Sequence, residues 1–306
     1  MRHVTDEMID AAVTPAEAQA VLRDALHCQG RGEAAMQERI RTEAGGVKLS
    51  TLGAVIPGQQ VAGAKVYTTI AGQFHFVILL FSAQDGRPLA SFDAGAITRL
   101  RTAACSVIAA GYLARPDARR LALLGCGVQG QAHALQMAEA FGLTRIDVFD
   151  PHAQPATLAA LEQRCEVPVR HCADAETAIG GADIAVTASR ATEPLFRGEA
   201  LPSGCFVAAI GSSLPHAREL DDTALRRASL IAVEWKQQTL REAGDLVRAA
   251  PDALSPQGKL VELADLVTGR VAGRRHADEI TLYKSVGIGL QDVALAGLAW
   301  SRLGLN

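Results

Sequence analysis

One decapeptide constrains this chain more than any other segment. Leu121-Ala-Leu-Leu-Gly125-Cys-Gly127-Val-Gln-Gly130 puts a short buried-type strand directly before a G-x-G-x-x-G loop, and the helical run Gln131–Phe141 follows it. In a strand–loop–helix unit each glycine has its own job. Gly125 permits the tight turn, Gly127 lets the backbone approach a pyrophosphate, and Gly130 allows close helix–strand packing. The helix N-terminus then offers unpaired N–H groups and a positive dipole end to an anion. Asp150 closes the next strand, Arg145–Phe149, about 20 residues past the loop, the offset expected for an acid that accepts from a ribose. A carboxylate there repels a 2′-phosphate and no arginine follows it, which favours NAD over NADP. NADP is the alternative.

The rhythm after Asp117 supports the same reading. Short strands at Leu121–Leu124, Arg145–Phe149, Val167–His171, Ile184–Thr187 and Phe206–Ile210 alternate with helical runs, which predicts a parallel sheet covered on both faces. The earlier part differs. Thr14-Pro15-Ala16-Glu17 reads as a capping box that opens a helix to about Cys28. Val61–Ile70, Gln73–Phe81 and Pro88–Phe92 predict an antiparallel meander. A helix is expected from near Thr98 to before Pro116, and another over Ser285–Trp300. The fold class is therefore α/β: a Rossmann-type, doubly wound parallel-sheet domain over 117–276, and an α+β domain with an antiparallel sheet over 1–116 and 277–306.

The net charge of −3, with acids and bases interspersed, excludes a basic stripe for nucleic acid. No apolar run is long enough to span a membrane, and the first ten residues, with Asp6, Glu7 and Asp10, do not form a secretory leader. Six scattered cysteines without C-x-x-C predict reduced thiols and a cytoplasmic location. No His/Cys/Asp set has metal-ligand spacing.

Several stretches in order resemble the ornithine cyclodeaminase and mu-crystallin family. They are Gly63-Ala-Lys65-Val, Leu100-Arg101-Thr102-Ala-Ala, the loop Gly125–Gly130, Ala191-Thr-Glu-Pro194, Gly211–Leu220 with Asp221, and Tyr283-Lys284-Ser285-Val286-Gly287 with Asp292. The resemblance implies a homodimer whose outer segments form a substrate and dimerisation domain. It also implies hydride exchange between a nicotinamide cofactor and the α-carbon of an amino or imino acid. Lys65, Arg101 and Ser213 would carry catalysis, and Lys65 and Arg101 would hold a substrate carboxylate. Arg41-Thr42 matches a further carboxylate-binding arginine, with Arg39 close enough to compete. Arg101, Thr102, Gly125, Gly127, Val128, Gln129, Gly130, Asp150, Thr187, Ser189, Lys284 and Ser285 would meet the cofactor. Arg101 is expected in the first turn of its helix, where guanidinium and dipole act together on an anion.

Two departures bear on the substrate. The loop after Phe206–Ile210 has Ser213 where the ornithine-cyclising members carry an Asp, and Gly53–Pro57, read as a loop, offers no acid. A hydroxyl is no base near neutral pH without help. Both losses disfavour a diamine and fit reduction of a cyclic ketimine acid, such as pyrroline-2-carboxylate or piperideine-2-carboxylate, or of an acyclic imino acid. The alternatives are an ornithine cyclodeaminase that recycles its NAD, and a non-catalytic dinucleotide-binding protein. His75, His133 and His216 are further acid/base candidates without motif partners.

Overall fold

The computed structural model describes residues 1–256 and 258–305. The chain divides into two compact units. The first is Met1–Cys105 together with the chain from Gly287 onward, and the second is Ser106–Val286. The division falls inside the helix Gly95–Leu113 and just past the strand Ile280–Lys284, not at 116/117 and 276/277. Ile280–Lys284 cannot be cut from the second unit, because it pairs on both sides with strands of that sheet.

The first unit is built on a seven-stranded sheet. Its order is Arg2–Val4, Pro88–Asp93, Gln73–Ser82, Val61–Ile70, Val47–Ile56, Ala35–Met36, with Ile40–Ala44 also on Val47–Ile56. The expected meander is present, and all pairs are antiparallel except Arg2–Val4 with Pro88–Asp93. Residues 43–48 form a hairpin tip. Gly45 and Gly46 take φ of 56° and 79°, the two left-handed conformations that a two-residue hairpin turn requires. Gly53–Ile56, read as loop, is the end of a ten-residue strand. The capping box is as expected: the Glu17 carboxylate accepts from Thr14 N at 3.0 Å, and Thr14 Oγ1 accepts from Glu17 N at 3.3 Å.

The pleat gives the sheet two unlike faces. Leu52, Ala54, Ile56, Ile78 and Leu80 point inward and are buried. The helix Gly289–Arg302 packs there, against Val47–Ile56, Val61–Ile70 and the helix Pro15–Arg31. It starts four residues later than the sequence suggests, because residues 285–288 are still non-helical and Gly287 has φ of 76°. Ile40, Val47, Leu49, Val55, Ile70, Phe74 and Val77 are each at least 40% exposed, so the strands also carry a run of apolar side chains that this unit does not cover.

The second unit holds an eight-stranded, all-parallel sheet. Its order is Val169–His171, Arg145–Phe149, Arg120–Leu124, Ile184–Thr187, Phe206–Ala209, Ile280–Lys284, Ala228–Val233, Leu260–Glu262. From Arg120–Leu124 the chain builds outward in one direction and then returns to build in the other. The order therefore reverses between Arg120–Leu124 and Ile184–Thr187. In open α/β sheets a ligand binds outside the carboxyl ends of the strands at such a point. Leu124, Ala185, Val207, Val233 and Leu282 belong to its buried core. Among the described residues no helix is long and apolar enough to cross a membrane.

Candidate active site

In the second unit the glycine loop has the geometry its sequence predicts. Gly125 has φ of 100°, and a Cβ there would lie 2.6 Å from Ala188 O. A Cβ on Gly130 would lie 2.0 Å from Gly125 O, so the loop and helix meet backbone to backbone. Gly127 differs, since a Cβ there would meet nothing within 4 Å. Only its outer side needs a bare backbone, which is what approach of a pyrophosphate requires. The helix Val128–Phe141 has Gly127 as its N-cap, so no side-chain capping hydrogen bond closes its N-terminus. Val128, at its first position, is 67% exposed despite being apolar. These residues fit a dinucleotide.

Asp150 is committed on both oxygens. Oδ2 accepts from Cys126 N at 2.7 Å and Oδ1 accepts from His152 N at 2.8 Å. The carboxylate thus fixes the glycine loop and its own turn, and each oxygen keeps a further lone pair for a ribose hydroxyl. Burial, with Asp150 adding to it, pushes the Cys126 thiol up to about 11, so this loop cysteine stays an uncharged packing group. His133, an acid/base candidate by sequence, is buried with both ring nitrogens engaged. Nδ1 bonds Gln129 O at 2.7 Å and Nε2 pairs with Ser106 Oγ at 2.9 Å. It ties two helices together. His75 and His216 are exposed.

Four residues expected at the cofactor are held by acids that sequence reasoning missed. Thr187 and Ser189 donate to the fully buried Glu219. Lys284 pairs with Asp245 at 2.9 Å, and Ser285 donates to Glu234 at 2.6 Å. Burial pushes the Asp245 carboxyl up, but the Lys284 charge and the N–H groups of Leu220 and Glu219 outweigh it and hold it below the usual range. Ser213 lies half-buried in the loop after Phe206–Ala209; its neighbour Ser212 shapes that loop by donating to Ala217 O.

The first unit gathers cations. Lys65 and Arg101 both reach Oδ1 of Asp292, at 3.4 Å and 3.3 Å, and the Asp292 side chain is fully buried. Lys65 also donates to Thr98 Oγ1 at 2.5 Å and lies 4.5 Å from the centre of the Phe76 ring. Arg101 donates to Gln291 Oε1 at 3.0 Å. Arg101 is the seventh residue of its helix, which begins at Gly95. It is therefore beyond the first turn, and the carboxylate of Asp292, not the helix terminus, is its partner. Thr102 is buried and gives its hydroxyl to Thr98 O.

Of the two competing arginines, Arg39 reaches the cluster. Arg39 donates to Gly287 O at 2.9 Å, and its charge acts on Lys65. A Cβ on Gly287 would lie 2.7 Å from Arg101, so that backbone fits beside both guanidinium groups. Arg41 sits within Ile40–Ala44, opposite Ser50. Burial pulls the Lys65 amine down to about 8, against the attraction of Asp292, and Arg101 and Arg39 push the same way as burial. Three cationic side chains and one carboxylate leave the cluster with an excess of positive charge, suited to an anion.

The strand order, glycine loop and strand-end acid are those of a Rossmann-type dinucleotide-binding unit, here joined to a second unit with a cationic cluster. The chain belongs to the ornithine cyclodeaminase/mu-crystallin family, whose model matches residues 13–303. Delta(1)-pyrroline-2-carboxylate reductase of Bacillus cereus is 33% identical over 263 residues, 85% of this chain and 78% of that protein. Among solved structures, a probable ornithine cyclodeaminase from Bordetella pertussis Tohama I is 62% identical with a TM-score of 0.97, covering 99% of this chain and 97% of that one. Thermococcus litoralis Delta(1)-pyrroline-2-carboxylate reductase, in complex with NADH and L-proline, is 25% identical with a TM-score of 0.93 over the same shares.

Proposed function

We propose that this protein is an NAD-dependent reductase that converts a 2-imino acid, cyclic or acyclic, to an L-amino acid. The observation that carries this reading is the meeting of Lys65 and Arg101 on the buried Asp292, with Arg39 beside them, in a chain that also has the dinucleotide loop. When bound, the dinucleotide supplies a hydride from its nicotinamide ring to the carbon of a C=N bond.

The chain's own residues bind, orient and move protons. The first-turn N–H groups after Gly127 hold the pyrophosphate, Asp150 takes the adenosine ribose, and Val128 and Gln129 line the same loop. Arg101 and Arg39 take the substrate carboxylate with their planar guanidinium groups. Asp292 keeps Lys65 and Arg101 from repelling each other and sets their directions. Lys65, with its amine near 8, both contributes charge and releases a proton from Nζ close to neutral pH. Ser213, a hydroxyl with no acid in Gly211–Pro215, orients and does not act as a base. The apolar side chains exposed on the first unit's strands fit burial against a second copy, giving a homodimer.

The test is a steady-state screen of pyrroline-2-carboxylate, piperideine-2-carboxylate, and pyruvate with ammonia, following loss of NADH absorbance. Turnover with one of them is expected, and no NADH oxidation with any would end this reading. The 62% identical relative favours a second reading, redox-neutral cyclodeamination of ornithine. Release of proline and ammonia from ornithine, with no net change in NADH, would favour it instead.

A further inference from the structure

We infer that Glu219 is a positioning residue of the dinucleotide site, holding the strand-end loops in register without touching the cofactor. The inference rests on the reading of the second unit as a dinucleotide-binding unit. Glu219 is fully buried, and a bare carboxylate in such a place is expensive unless it is fully bonded. Here it is. Oε1 accepts from Ser189 N at 2.8 Å and Ser189 Oγ at 2.7 Å. Oε2 accepts from Thr187 Oγ1 at 2.7 Å and Gly211 N at 2.7 Å. A carboxylate has about four acceptor sites, so none is left for a ligand.

The four donors lie at the carboxyl ends of two parallel strands, Ile184–Thr187 and Phe206–Ala209: Thr187 ends the first, and Ser189 and Gly211 stand in the loops that follow. The first of these loops abuts the glycine loop, because a Cβ on Gly125 would strike Ala188 O and come within 3.2 Å of Ser189 N. The second approaches so closely that a Cβ on Gly211 would lie 2.4 Å from Glu219 Oε1 and 2.2 Å from Ser189 O. Glu219 is itself fixed. Its N–H and that of Leu220 donate to Asp245 Oδ1 at 2.7 and 2.9 Å, and the other oxygen of Asp245 pairs with Lys284 at the end of Ile280–Lys284. One acid thus ties the ends of two strands beside the point where the sheet order reverses, and a second acid ties it to a third strand. Charge-assisted bonds of this kind are stronger and more directional than neutral ones.

Glu219→Gln tests this. The amide keeps the shape but turns its NH₂ towards one hydroxyl, which can reverse and accept, and one backbone N–H, which cannot, so one of the four bonds is replaced by two N–H groups facing each other. NADH affinity, titrated by cofactor fluorescence on folded protein, should fall about tenfold or more, equivalent to about 1.4 kcal/mol. In turnover the KM for NADH should rise by the same factor, while kcat at saturating NADH changes less than about threefold, a split that general destabilisation does not produce. If Glu219→Gln does not fold, Thr187→Val with Ser189→Ala removes two donors and should weaken NADH in the same direction. Unchanged NADH affinity in a folded variant overturns the inference. Wild-type protein that binds no NADH would instead overturn the functional reading beneath it.

Discussion

Lys65 Nζ lies 3.4 Å from Oδ1 of Asp292, although 227 positions separate them in the chain. Asp292 is on the helix that lies against the sheet's inner face and Lys65 is on a central strand of that sheet, so the pair is buried with 4% and 0% of the side chains exposed. Removing one partner of such a pair leaves the other charge uncompensated.

Asp292→Ala is accordingly expected to destabilise the protein by about 3–5 kcal/mol. Two cations, Lys65 and Arg101, would then face each other without a counter-charge. Urea unfolding with a reduced midpoint and unchanged m-value would report this directly. A loss below about 1 kcal/mol would mean that the pair contributes no more than a surface ion pair.

The pH profile of catalysis should carry the signature of Lys65. With its amine near 8, kcat/KM for imino acid reduction falls as pH rises through that value, because Nζ loses the charge and the proton it provides. Asp292 pulls this amine up, so Asp292→Asn should move the inflection to lower pH. Stability runs in the other direction. Between about 8 and the ordinary 10.5 the unfolded chain binds more protons than the folded one at this site. The contribution of Lys65 to stability therefore increases with pH across that window and is flat outside it. Lys65→Met should lack both the inflection and this slope. An inflection that stays put in both variants would assign it to the substrate.

The glycine loop separates two kinds of variant. Gly130→Ala forces a Cβ to within 2.0 Å of Gly125 O, so it should cost fold stability as well as NADH binding. Gly127→Ala has open space and a negative φ of −74°, so the apo protein should melt within a few degrees of wild type. Its NADH affinity should still fall at least about tenfold, since the added methyl stands where a phosphate approaches. Calorimetric titration beside thermal melts distinguishes the two, and equal NADH affinity in Gly127→Ala and wild type would count against pyrophosphate binding there.

Cofactor choice should follow Asp150. Asp150→Ser removes the carboxylate that a 2′-phosphate must face and should shift the NADH-to-NADPH ratio of kcat/KM towards NADPH by about tenfold or more. Overall activity should fall too, because Cys126 N loses its acceptor. If the ratio does not move, the turn at Asp150 is not the ribose site.

The local features of this fold were legible because they rest on short-range chemistry. The capping box at Thr14 and the strand–glycine–helix unit at Leu121 are complete within a few residues. Ala228–Val233 escaped notice because no strong turn residue bounds it and Leu260–Glu262 because it is only three residues long, and both owe their status to pairing with distant chain. The site shows the same division. Lys65 and Arg101 stand in readable motifs, but nothing in the sequence separates Arg39 from Arg41. That choice is made by where Ile40–Ala44 starts and by the Gly287 carbonyl. Glu219, Glu234 and Asp245 look like ordinary surface acids in a linear reading, and only burial and the donors around them show otherwise.

The first unit draws on both ends of the described chain, and this has a consequence for biosynthesis. On the ribosome, Lys65 and Arg101 emerge long before Gly289–Arg302. Until that last helix is released, the inner face of the sheet has neither its apolar cover nor the anion that offsets its cations. Domains tend to fold in order of synthesis, yet here the earlier-made unit must wait for the whole intervening sheet to be translated. The nascent protein is therefore most exposed to chaperones and proteases over its first unit, and the cationic cluster is assembled last.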